Sequence, residues 1–129
     1  MDGTLKGYFW YQGNSVDLTF DITGTFTFDN VYYVTAAEVV SNLLTTFSVF
    51  DHRHACILQY SNHGVGQPLY YNLHSNDDGE IVGEITIKLD HDTSEKLPKG
   101  VYTCSLTVSH PSGYYETLFD TSTCTFEVR

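Results

Sequence analysis

The chain has 129 residues, enough for one domain with a single core. Sixteen acidic residues stand against six Lys and Arg, a net charge of −10. Such a surface repels phosphate backbones and anionic leaflets, which argues against nucleic-acid and membrane partners.

Ten Tyr and eight Phe favour a pleated, half-buried architecture. No segment approaches the ~20 apolar residues of a membrane helix. The opening "MDGTLKGYFWYQG" has no apolar stretch of signal-peptide length. Three Cys, an odd number, fit free thiols better than a disulfide framework. The expectation is a single domain over 1–129, made in a cytoplasm.

In chain order, "GYFWYQG" comes first, with four aromatics in seven residues. Tyr8 and Trp10 alternate with Phe9 and Tyr11, so both faces of that strand are apolar. Either it is buried on both sides, or one face meets a partner. "SVDLTFDI" alternates cleanly, with Val16, Leu18, Phe20 and Ile22 on one face. "TFTFD" and "VYYV" read as short strands around an Asp29-Asn30 turn. Thr35 with Glu38 makes a capping-box pattern, and the spacing after it predicts a short helix over 36–44. Residues 46–60 read as one long strand, and "LYYNLH" as another. "SNDDG" is the strongest turn signal. "EIVGEITIKL" places Ile81, Ile85, Ile87 and Leu89 on one face, with Gly83 a candidate bulge. "DHDTSEKLPKG" predicts one helical turn, and "VYTCSLTVS" and "YETLFDTSTCTFEV" form a final hairpin. Eight or nine short strands with turns between them predict an all-β sandwich with one short helix.

Chemistry-bearing patterns are sparse. "DHRHAC" sets His52, His54 and Cys56 two residues apart, a possible zinc set. On one straight strand the three would span about 13 Å, too far for one ion without a bulge. His52 and His54 are therefore metal-ligand candidates only with help from His63 or His74. The alternative is a strand with a polar outer end and a core end at Cys56, Leu58 and Tyr60. Cys104 and Cys124 lie on apolar faces of the closing strands, where they read as buried thiols acting as small hydrophobes in preference to a disulfide between them. No nucleophile elbow, phosphate-cradling loop or calcium loop is present, so no enzyme activity and no cofactor are expected.

Tyr102, two residues before Cys104 and two after Gly100, has the spacing of a tyrosine corner. Such a Tyr turns its hydroxyl back to the loop before its strand. Gly100 and Tyr102 are thus expected to pin the 90–99 loop.

The opening "YFWYQGNSVDLTFDITG", with its Gln12-Gly13-Asn14-Ser15 entry, resembles the immunoglobulin-like domains of phage virion proteins. So does the ending, with its helical turn, Gly100-x-Tyr102 strand and final hairpin. The N-terminal module of upper baseplate proteins is the nearest family. The resemblance covers about two-thirds of the chain, and residues 31–75 lie outside it. It implies an immunoglobulin-like antiparallel β-sandwich in a virion assembled in the host cytoplasm. The chain would be a structural component of baseplate, tail, fibre attachment or capsid decoration, present in many copies. It would pack on other virion proteins through Tyr8, Phe9, Trp10, Tyr11, Tyr114 and Tyr115. Two other classes stay open: a carbohydrate-binding module with exposed Tyr and Trp, and a small enzyme or metal protein using residues 52–56.

Overall fold

Period-2 alternation builds most of the structure, a computed structural model describing residues 8–24, 27–28, 32–33, 43–62, 67–78, 80–110, 115–121 and 124–129. In chain order the strands are β1 (Tyr8–Trp10), β2 (Val16–Gly24), β3 (Thr27–Phe28), β4 (Tyr32–Tyr33), β5 (Leu44–Phe50) and β6 (Cys56–Ser61). They continue as β7 (Leu69–Ser75), β8 (Ile81–Leu89), β9 (Gly100–Ser109), β10 (Tyr115–Phe119) and β11 (Thr125–Val128). Helix α1 (His91–Lys96) joins β8 to β9.

One sheet runs β2-β8-β7, and the other runs β1-β11-β9-β5-β6. β10 also pairs with β9, above β11 on the same side, so the two act as one interrupted strand. Taken so, the orders match the B-E-D and G-F-C-C′ sheets of an immunoglobulin sandwich. β1 runs parallel to β11, whereas the other pairings of the two sheets are antiparallel.

The inward faces meet in one core. Phe20 of β2 packs on Phe47 of β5 at 5.8 Å and on Phe119 of β10 at 4.8 Å between ring centroids. Leu18, Ile22, Ile85 and Ile87 fill it from one side, and Val49, Leu106 and Val108 from the other. Burying each such side chain stabilises the fold by about 1.5–3 kcal/mol before entropy is set against it.

Four expectations from the sequence are corrected. Residues 46–60 are two strands, not one, because Asp51 closes a tight turn between β5 and β6. Its carboxylate accepts from Arg53 N at 2.8 Å and Ala55 N at 3.1 Å, and His54 takes a left-handed φ of 62°. Cys56 is exposed at the start of edge strand β6, whereas Leu58 and Tyr60 pack partly against the core. Gly83 is no bulge: the β8 register runs straight through it on both sides. A glycine is needed there because a Cβ would fall 1.9 Å from the Asn72 carbonyl oxygen. The helix expected over 36–44 gives way at Leu44, which opens β5; positions 36–42 and the Asp29-Asn30 turn lie outside the described residues.

The "SNDDG" signal is the β7–β8 turn. Asn76 Oδ1 accepts from Asp78 N at 3.0 Å and Glu80 N at 2.9 Å. The side chain thereby imitates a backbone turn.

Candidate interaction surface

The aromatic run divides between core and surface. Trp10 is buried, stacked on Phe126 at 4.7 Å, with its indole N–H donated to Ser94 Oγ at 3.0 Å. It therefore belongs to the chain's own core and is not a contact for a partner. Phe9, on the opposite face of β1, is 45% exposed, and Tyr11 is 60% exposed. Arg129 lies 3.7 Å over the Phe9 ring, and Tyr11 meets that ring edge-on at 6.3 Å. Tyr115 is 66% exposed at the far end of the same sheet. The Tyr8 side chain and Tyr114 lie outside what the structure describes.

The Gln12-Gly13 entry has a mechanical role. Gln12 Nε2 donates to the Glu95 and Leu97 carbonyls at 3.1 and 2.9 Å, satisfying the open end of α1. Gly13 N donates to Ser94 Oγ at 3.1 Å. His91 Nδ1 donates to the Gly13 carbonyl at 2.6 Å. At the other end of the loop, Tyr102 Oη donates to the Pro98 carbonyl at 2.5 Å. Gly100, with φ at 152°, gives the chain the turn that brings Tyr102 into place. The helix and its loop are thus clamped from both sides, which fixes β1 on the edge of β11.

That clamp completes a broad outward face on the six-stranded sheet. The ladders set Phe9, Glu127 and Val101 in one row and Thr125, Thr103 and Phe50 in the next. Further along, Ser105, Ser48 and Gln59 share a row, as do Thr107, Thr46 and Ser61. Leu44 and Ser109, with Tyr115 paired to Ser109, close the far end. Glu127 is the one acidic side chain these rows describe, and Arg129 holds it at 2.5 Å. On the three-stranded sheet the outward face carries Asp17, Asp21 and Glu84, with Lys88 opposite Asp17 and 5.0 Å over the Tyr70 ring. Asp21 stands directly opposite Glu84, a like-charge pairing that strains that face. Apolar and hydroxyl groups on one face and carboxylates on the other could not be read from composition, because the pairing of strands decides it.

The proposed metal residues do not converge. His52 and His54 are both exposed in the β5–β6 turn, not side by side on a strand, and His63 lies outside the described residues. Among the described residues, the ligand-type atoms that gather are those of His91, Asp92 and Glu95, exposed and within 4.8 Å of one another. His91 is already engaged there, with Nε2 3.2 Å from Glu95 and Nδ1 on Gly13. Both contacts raise its pKa, the Gly13 carbonyl most. Their signal in the sequence was the four-residue spacing of His91 and Glu95 on a helical turn.

An open cleft of about 440 Å³ lies beneath the corner, lined by Asp51, His52, Ile57, Pro98, Val101 and Tyr102. The Asp51 carboxyl is held below its usual range, chiefly by the Ala55 N–H, so its oxygens serve the turn. Cys104 and Cys124 are buried and unlinked, and Cys104 N donates to the Cys124 carbonyl at 3.0 Å. Hydrogen bonding to the Cys124 side chain, aided by burial, pushes the Cys104 thiol far above its ordinary value. Such a thiol is no nucleophile.

The chain matches no protein-family model, no curated protein and no solved structure.

Proposed function

We propose that the chain is a non-enzymatic structural component of a phage virion that works by packing against other proteins of the particle. The observation that supports packing is the wide face on the six-stranded sheet, nearly free of charge in a chain of net charge −10. Interface cores are depleted of charge and enriched in aromatics, and Phe9, Tyr11 and Tyr115 stand exposed along this face and its N-terminal edge. The virion setting rests on the sequence resemblance of the Gln12-Gly13 entry and the Gly100-x-Tyr102 strand. Chemistry plays no part in this reading: the polar groups of the corner are spent on holding α1.

Mass spectrometry of purified virions or tail complexes tests it. The expected result is this chain in many copies per particle. Its absence from the particle, together with glycan binding by a lone monomer, would replace this reading with that of a carbohydrate-binding module.

A further inference from the structure

We propose that the outward face of the six-stranded sheet is a self-association surface, covered by the same face of a second copy of this chain. The inference rests on the packing reading above and names its surface.

Charge decides which face pairs. Two copies of net charge −10 repel unless their carboxylates point apart. The three-stranded sheet presents Asp17, Asp21 and Glu84 against the single Lys88, which stands opposite Asp17, so a net negative charge is left that disfavours a second copy there. The six-stranded face presents hydroxyls and apolar groups, with Glu127 neutralised by Arg129. Face-to-face pairing there leaves the acidic faces outermost, where water and salt screen them. Hydroxyls both donate and accept; Ser48 is buried and bound by Gln59 and the Thr103 hydroxyl is closed off, but Thr46, Ser105, Thr107 and Ser109 stay part-exposed and complement a two-fold copy.

Area points the same way. The strands of this sheet differ in length, from three residues in β1 to ten in β9, and at ~3.3 Å rise and ~4.8 Å spacing they give a face of roughly 550 Å². That is the size of a small, weak interface, below the about 800 Å² per partner of a standard one. The three-stranded face is about 14 Å wide by the same spacing and falls well short. Val101, 59% exposed at one end, and Tyr115, 66% exposed at the other, supply the apolar anchors.

Sedimentation analysis of the purified chain tests the pairing. At about 100 µM, far above the micromolar constants that weak interfaces of this size show, the wild type should be a dimer. Val101→Glu and Tyr115→Glu each place like charges across the two-fold contact and should weaken the dimer roughly tenfold or more. Tyr70→Glu, on the three-stranded sheet, should leave it unchanged. All three positions are more than half exposed, and Tyr115→Glu and Tyr70→Glu should keep the wild-type melt; Val101→Glu stands opposite Glu127 of its own chain and should melt slightly lower, so Tyr115→Glu is the cleaner comparison. A monomeric wild type, or a dimer indifferent to both face variants, overturns the pairing even if virions contain the chain. A dimer broken by those variants upholds it even if virions lack the chain.

Discussion

The Ser94 hydroxyl receives two hydrogen bonds from one short segment, the Trp10 indole at 3.0 Å and the Gly13 amide at 3.1 Å. A six-residue helix is too short to persist alone, so α1 exists because β1 and its following turn hold it. Ser94 is fully buried within that junction.

Ser94→Ala withdraws the acceptor from both donors at once. The expected cost is about 1–3 kcal/mol, with a melting temperature lower by roughly 3–10 °C. Ser94→Thr, which keeps the hydroxyl, should recover part of the loss. Equal melts for wild type and Ser94→Ala would show that the hydroxyl bears no load.

Tyr102→Phe tests the opposite clamp. The ring stacks on Phe126 at 5.4 Å and stays buried in the variant, so only the bond to the Pro98 carbonyl is lost. A net hydrogen bond contributes about 0.5–1.5 kcal/mol, and the melt should fall by a few degrees. Hydrogen exchange should quicken in the 97–100 loop more than in β5. Uniform exchange across both would separate the hydroxyl from the loop.

The strands of this fold were legible where one face is buried. Leu18, Phe20 and Ile22 alternate with acids and threonines, and the sandwich follows from several such runs. The corner was legible too, because Gly100, Tyr102 and Cys104 carry a local spacing. What escaped were features set by long-range pairing. Residues 46–60 carry apolar groups on both sides of the polar run Asp51-His52-Arg53-His54, which alone does not tell a strand's wet end from the turn that the Asp51 side chain makes. Trp10 and Phe9 were equivalent in the sequence; the parallel pairing of β1 with β11 sends one to the core and the other to the surface. The charge difference between the two outward faces likewise depends on which strands become neighbours.

The thiols give a native-state test. Cys56 is exposed, whereas Cys104 and Cys124 are buried. Thiolate is the reactive form, and the Cys104 thiol is held protonated by its surroundings. A thiol reagent should therefore modify one Cys in the folded protein and all three after denaturation without reductant. One reactive thiol after denaturation would mean that Cys104 and Cys124 are linked.

His91 gives a pH dependence of defined sign. Its Nδ1–H is held by the Gly13 carbonyl and its Nε2 faces Glu95, with Asp90 and Asp92 adjacent. All of these favour the charged imidazole, so the folded-state pKa lies above the ordinary ~6.5. A group whose pKa rises on folding adds its full stability below the unfolded value and loses it as pH climbs through the folded one. The clamp between α1 and Gly13 should therefore be firmest in mildly acid solution. Melting curves of the wild type and His91→Gln between about pH 5.5 and 8.5 measure this directly. The wild type should melt higher at the acid end, and the difference should shrink toward the alkaline end. Acidification well below that window works against the fold through Asp90 and Asp51, whose carboxyls are held below their usual range, chiefly by the Thr93 and Ala55 amides. A wild-type advantage that stays constant across the window would show that His91 holds Gly13 as a neutral donor, with the charge on Glu95 adding nothing.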